Sequence, residues 1–376
     1  FQNADFTPEM KATHTILAPD IFPMHMDLLR GIFRMYGYKL DVLHYEGRQV
    51  IDVGLKYVHN DMCYPAICTI GQQLYALQCG DYDVHKVALI QFQTGGGCRA
   101  SNYIWMLRKA LHNMDMDFVP VISLSFSRVE RSSGFLIAKG LMALIYGDML
   151  MLLRNQVQPY EAVPGATQTV VDKWNAELLR QFSRNRGLLA RDRRRNLHAM
   201  AADFAAVERR DVKRIKVGIV GEIYVKYSQF GNNGLEAFLA SQGCEVMVPG
   251  VIGFFQAMFD NRETDYRLYG GSYGKKIVAR LGAWAARRME REMLTALRDF
   301  PQFTAPSPFA HIRELGDKVI GRGVKMGEGW LLPAEIAELI ENGYSNVICA
   351  QPFGCLPNHI VGKGTIRTLR ELYPEA

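Results

Sequence analysis

The feature that most restricts the fold is an alternation of short apolar runs with helical patterns, joined by loops rich in glycine and proline. Thr15, Ile16, Leu17 and Ala18 form a first strand-like run, closed by Pro19 and Pro23. Met26, Leu29, Ile32, Phe33 and Tyr36 then share one helix face, Gly37 ends the helix, and residues 40–43 make a second strand. A helix after Cys63 leads to a strand at 87–90, and a helix at 104–111 leads to another at 118–123. This order predicts a parallel sheet with helices on both faces over residues 12–128. A second α/β unit starts with the strand 215–220. It continues through a helix at 235–240, a strand at 245–248 and a long Arg-rich helix at 277–297, and ends in a strand at 346–350. Between the two, residues 135–210 read as helices at 135–156, 167–179 and 188–207.

The expected fold class is therefore α/β: two Rossmann-like domains with parallel sheets, at 5–128 and 212–376, plus a helical segment at 129–211. Residues 1–4 begin with Phe1 rather than methionine and read as an expression-tag remnant, so the chain reads as an excised piece of a longer polypeptide. The abrupt end after a helix reads as the loss of a terminal strand from the C-terminal domain. No repeat of solenoid period is present.

The 376 residues, 48% of them hydrophobic and 22% charged, suffice for two or three packed domains of an ordinary globular kind. The formal charge of +6 suits an anionic substrate and is too small to argue for nucleic acid. The most apolar stretch, residues 134–153, is interrupted by Lys139 and Asp148 and reads as a buried core helix, so no membrane partner is expected. Seven irregularly spaced cysteines are not a disulfide framework, and they point to a reducing cytoplasm. Residues 270–276, GGSYGKK, are one residue short of a phosphate loop, carry Lys276 in place of Ser or Thr and follow no strand. Residues 218–221 lack the full dinucleotide fingerprint, so no nucleotide site is expected in this chain. The arginines at 180, 184, 186, 191, 193, 194 and 195 are read as a solvated helix face rather than a CoA-phosphate site.

Three cysteines stand apart. Cys63 lies in NDMCYP before a helical pattern, Cys98 in QTGGGCRASNY after the strand 87–90, and Cys355 in QPFGCLPNH after the strand 346–350. Each sits where a loop enters a helix, the place where backbone N–H groups and the helix dipole favour a thiolate. Tyr64, Arg99, Asn102, Asn358 and His359 flank these thiols and are candidates to surround a bound group. The glycines at 95–97, Gly96 and Gly97 among them, would let backbone approach it closely. From the residues alone four readings stay open: buried small hydrophobes, a thiolate nucleophile with His359 as base, zinc held by the three thiols and His359, and an iron–sulfur cluster with one iron left open. No CxxC pair occurs, which disfavours a zinc ribbon. Glu222, at the end of strand 215–220, is read as a helix cap or an interdomain residue before an acid/base residue.

NDMCYP, QTGGGCRASNY and QPFGCLPNH, together with VGIVGEIYVK at 217–226 and GEGW at 327–330, resemble motifs of the 2-hydroxyacyl-CoA dehydratase superfamily. They are most similar to the cluster-binding region of its large activase-related proteins, and the resemblance runs from about Thr13 to the end. It implies a 4Fe–4S cluster on Cys63, Cys98 and Cys355 in a cleft between the two α/β domains. It also implies an ATPase activase domain or subunit with its own cluster as electron donor, and an acyl-CoA substrate. In the dehydratases of that superfamily the electron makes a ketyl radical that then eliminates water. A double-cubane cluster occurs in some relatives and is less favoured here, because Cys68, Cys79, Cys244 and Cys349 lack the loop setting. An electron-transfer or regulatory module without catalysis, a zinc-stabilised structural domain and a homo-oligomer also remain open.

Overall fold

The computed structural model describes residues 3–59, 61–93, 97–124 and 134–376. The chain is α/β with two parallel sheets. In the first, β1 (Thr15–Pro19), β2 (Lys39–Leu43), β3 (Val87–Phe92) and β4 (Val121–Leu124) lie in the order β2-β1-β3-β4. All three pairings are parallel, with Ile16 opposite Leu40 and Ala88, and Leu89 opposite Val121. The second sheet holds β5 (Ile215–Gly221), β6 (Cys244–Met247) and β7 (Asn346–Ala350) in the order β6-β5-β7, again parallel. Every strand expected from the sequence is present, with ends within a few residues of those expected.

The side-chain alternation of the first sheet divides its core. Leu17 and Leu89 face one layer with Ile67, Ile70, Leu74, Leu107 and Leu111, while Ile16, Ala18, Ala88 and Ile90 face the other with Met26. Burial on both faces explains why these strands read as continuous apolar runs. Against the first layer, the helices Arg48–Tyr57 and Tyr64–Gln78 cross closely. A Cβ on Gly71 would stand 2.5 Å from the Val50 carbonyl oxygen, and one on Gly54 would stand 2.3 Å from that of Ile67, so glycine is required at both.

By internal contacts the chain divides into two units. The first is Phe1–Gly140 with Tyr227–Gly234 and Pro352–Leu356; the second is Leu141–Lys226 with Leu235–Gln351 and Pro357–Ala376. The short piece carrying Cys355 thus belongs with the first unit, although the sequence groups it with residues 212–376. Most of the helical stretch at 129–211 falls in the second unit. Ala4, at the edge of the supposed tag remnant, donates its N–H to the Asp117 carbonyl at 2.9 Å.

The apolar helix Gly134–Val157 is, by length and composition, long enough to cross a membrane, with a mean hydropathy of 1.8 over the qualifying segment. Of that segment, 72% is nevertheless buried within the fold. Fully buried Asp148 on this helix accepts the N–H groups of Val251 and Ile252 at 2.8 and 2.9 Å, which caps the helix Val251–Tyr269. One arginine of the basic cluster departs from the solvated reading. Arg193 is buried and pairs with buried Glu292, while the other six are exposed.

Candidate functional site

Cys63 occupies the N-cap position of the helix Tyr64–Gln78, with extended backbone (φ −68°, ψ 148°) and Pro65 pre-set for the first turn. Cys98 takes the same position, with φ −78° and ψ 148°, before the 3-10 turn Arg99–Asn102 that leads into the helix Tyr103–His112. Both thiols therefore lie at helix starts, as the sequence suggests. Cys355 closes a turn in which its N–H donates to the Pro352 carbonyl at 3.2 Å. Gly354, at φ +74°, is the third residue of that turn and supplies the left-handed backbone it needs.

Three contacts fasten these loops together inside the first unit. The Tyr64 N–H, one of the unpaired amides of a helix start, donates to the Phe353 carbonyl at 2.9 Å. Gly354 lies so close that a Cβ there would come within 3.0 Å of the Cys63 Cα and the Met62 carbonyl oxygen. The Arg99 guanidinium donates to the Asp61 carbonyl, which ties the Cys98 loop to the Cys63 loop. The loop after β3 also leaves the sheet at its topological switch point, between β1 and β3, where parallel sheets bind ligands.

Cys63 and Cys355 are 4% and 7% exposed, and Cys98 is half-buried. None of the seven cysteines is joined in a disulfide. The Tyr103 hydroxyl lies 2.8 Å from the Cys63 sulfur and can donate to it as a thiolate. Tyr103 was not a candidate from sequence. Its place at the end of QTGGGCRASNY was the available signal, but only the fold turns it toward a cysteine forty residues away. Of the flanking candidates, Tyr64 is half-buried, and burial followed by the nearby Cys68 pushes its hydroxyl pKa up. Asn102 is exposed. Gly97 is exposed beside Cys98, and Gly96 lies outside the described residues. Cys68 lies within the helix Tyr64–Gln78 and Cys79 at its end, Cys244 opens β6, and Cys349 lies within β7.

Among the described residues, no group of three or more His, Cys, Asp or Glu side chains stands close enough to hold a single metal ion. His359 and Asn358 belong to the second unit, in the π-helical turn Asn358–Lys363.

A separate polar centre lies in the second unit at the carboxyl ends of β5 and β7, again a switch point. The Glu222 carboxylate accepts the N–H groups of Tyr224 and Val225, both at 3.0 Å, so it caps the turn that follows β5. Glu328, from GEGW, accepts the Ile223 N–H at 2.8 Å and the Asn358 amide at 2.9 Å. Burial, then repulsion from Glu328, pushes the Glu222 pKa up to about 8. Buried Lys226 pairs with buried Glu335 at 3.1 Å. Burial pushes Glu338, on the same helix as Glu335, up to about 7. Asn358 was expected beside a cofactor; its amide here serves Glu328. Glu328, Lys226 and Glu335 were missed, because a lone acid or base in sequence does not reveal its buried partner.

No protein-family model, curated protein or solved structure matches this chain.

Proposed function

We propose that Cys63, Cys98 and Cys355 hold a 4Fe–4S cluster with one iron not bound by a thiol of this chain. On this reading the protein is the cluster-bearing partner of an ATP-driven electron donor, acting in a reducing cytoplasm on a CoA thioester by dehydration or reduction. The observation that carries the reading is the fastening of three cysteine loops by Tyr64 to Phe353, Gly354 to Cys63 and Arg99 to Asp61. A cluster there would supply a low-potential electron or an open Lewis-acidic iron. The chain's own part is to bury two of the thiols, start helices at two of them, and donate the Tyr103 hydroxyl to the Cys63 sulfur. Phe353 and Leu356, exposed on either side of Cys355, leave an apolar rim for a partner or an ester chain.

The test is iron and acid-labile sulfide analysis of anaerobically purified protein, with about four of each expected per chain. Cys63→Ser, Cys98→Ser and Cys355→Ser should each abolish stable iron, while Cys79→Ser and Cys244→Ser should retain it. Stoichiometric zinc without labile sulfide would overturn the reading. Mixing loaded protein with an ATPase donor, ATP, a reductant and 2-hydroxyacyl-CoA esters then separates catalysis from electron transfer. A reduced cluster that no ester perturbs would favour the electron-transfer module.

A further inference from the structure

The helix Tyr273–Arg298 carries two apolar faces where its packing needs one. Ala279, Ala286 and Met289 are buried, and Gly282 lets the helix approach Phe259 of the helix Val251–Tyr269, since a Cβ there would come within 2.7 Å of that ring. On the opposite side, Tyr273, Ile277, Leu281 and Trp284 follow one another at helical spacing. They are 62%, 44%, 62% and 58% exposed, with Val278 beside them at 68% and Tyr269 on the preceding helix at 76%. Contiguous exposure of this kind marks an interaction surface.

The charge around the stripe has one sign. Residues 273–289 contain Lys275, Lys276, Arg280, Arg287 and Arg288 and no Asp or Glu. Acidic groups beside these cations leave the balance basic: Glu263 stands 3.9 Å from Arg280, buried Glu292 stands 3.8 Å from Arg288, and buried Glu290 interacts with Arg287. Lys276 lies over the Tyr266 and Tyr273 rings, and Arg288 over the Trp284 ring, so the cations sit beside the apolar groups. A second copy laid on this face would oppose like charges along the whole stripe, which disfavours self-association. Tyr and Trp at its ends, aliphatic residues between them and Lys/Arg along its flanks are the composition of a helix that lies in a bilayer interface.

We infer that this helix face docks on an anionic lipid surface, with Trp284, Leu281 and Ile277 entering the headgroup region and the lysines and arginines meeting lipid phosphates. This runs against the sequence expectation of no membrane partner, which was drawn from the lack of a spanning segment and did not weigh this helix face. The inference does not depend on the proposed cluster, and its test needs no iron.

The 376-residue protein is mixed with vesicles of phosphatidylcholine alone, or with a minority of phosphatidylglycerol, and sedimented. Binding should be at least about tenfold stronger to the anionic vesicles and should weaken with added salt. Trp284 emission should shift to the blue, and Trp284→Phe should remove the shift. Leu281→Glu, at an exposed position, should lower binding by about tenfold or more with the circular dichroism unchanged. Lys275→Gln with Arg280→Gln should lower binding to anionic vesicles only. Three outcomes would overturn the inference: no sedimentation with either vesicle, binding indifferent to these substitutions, or a lipid-free dimer that Leu281→Glu dissociates.

Discussion

The Tyr103 hydroxyl stands 2.8 Å from the Cys63 sulfur, joining the start of one helix to the N-cap of another across forty residues of chain. Neither motif predicts the other. If the sulfur binds iron, this donor tunes it, because hydrogen bonds to cluster sulfurs help set reduction potential. Tyr103→Phe should cost about 1 kcal/mol and leave iron stoichiometry intact. The reduction potential of the reconstituted protein should become more negative, as read by redox titration. An unchanged potential would remove Tyr103 from the site.

Glu222 ties stability to pH. Its pKa is about 8 in the fold against an ordinary 4.5, because burial and Glu328 both disfavour the charged form. Below its ordinary value the carboxyl is protonated in folded and unfolded chain alike. Between there and about 8, only the folded chain keeps the proton. Glu222 therefore contributes stability that falls as pH rises through that window and levels off above it. Glu338, at about 7, acts in the same direction. Comparing denaturation of wild type and Glu222→Gln from acid to mildly alkaline pH should show the variant gaining relative stability as pH rises. Parallel curves would contradict the assignment.

Lys226 and Glu335 are both nearly inaccessible and 3.1 Å apart. Lys226→Met leaves a carboxylate with less compensation and should cost about 3–5 kcal/mol. Adding Glu335→Leu should recover much of the loss, since an apolar pair of similar size avoids desolvation altogether. Chemical denaturation of the single and double variants would show whether the second change rescues the first.

The helix crossing at Gly54 and Gly71 gives a steric prediction. Gly71→Ala forces a Cβ against the Val50 carbonyl and should destabilise by about 1–3 kcal/mol. Gly140→Ala, within the helix Gly134–Val157 and with nothing near its added Cβ, should be neutral or stabilising by up to about 1 kcal/mol. Thermal melts of the two variants should move in opposite directions or at least differ by several degrees.

The sequence by itself determined the strands, because parallel strands buried on both faces must read as short apolar runs. It also determined that Cys63 and Cys98 stand at helix starts, since proline, glycine and the onset of 3.6-residue periodicity are local signals. The helices Val251–Tyr269 and Leu331–Glu341 were not read, and two conditions obscured them. The stripe of the first is blurred by aromatic and charged residues on every side, and the second is buried almost all round, so neither shows a clean amphipathic period. What only the tertiary structure decided is which distant groups meet. Phe353 caps the helix behind Cys63, Tyr103 reaches the Cys63 sulfur, and Glu328 and Asn358 close over the turn after β5. Those contacts depend on strand order and on loops leaving a switch point. No residue encodes them locally, because a hydrogen bond between remote segments leaves no periodicity in either.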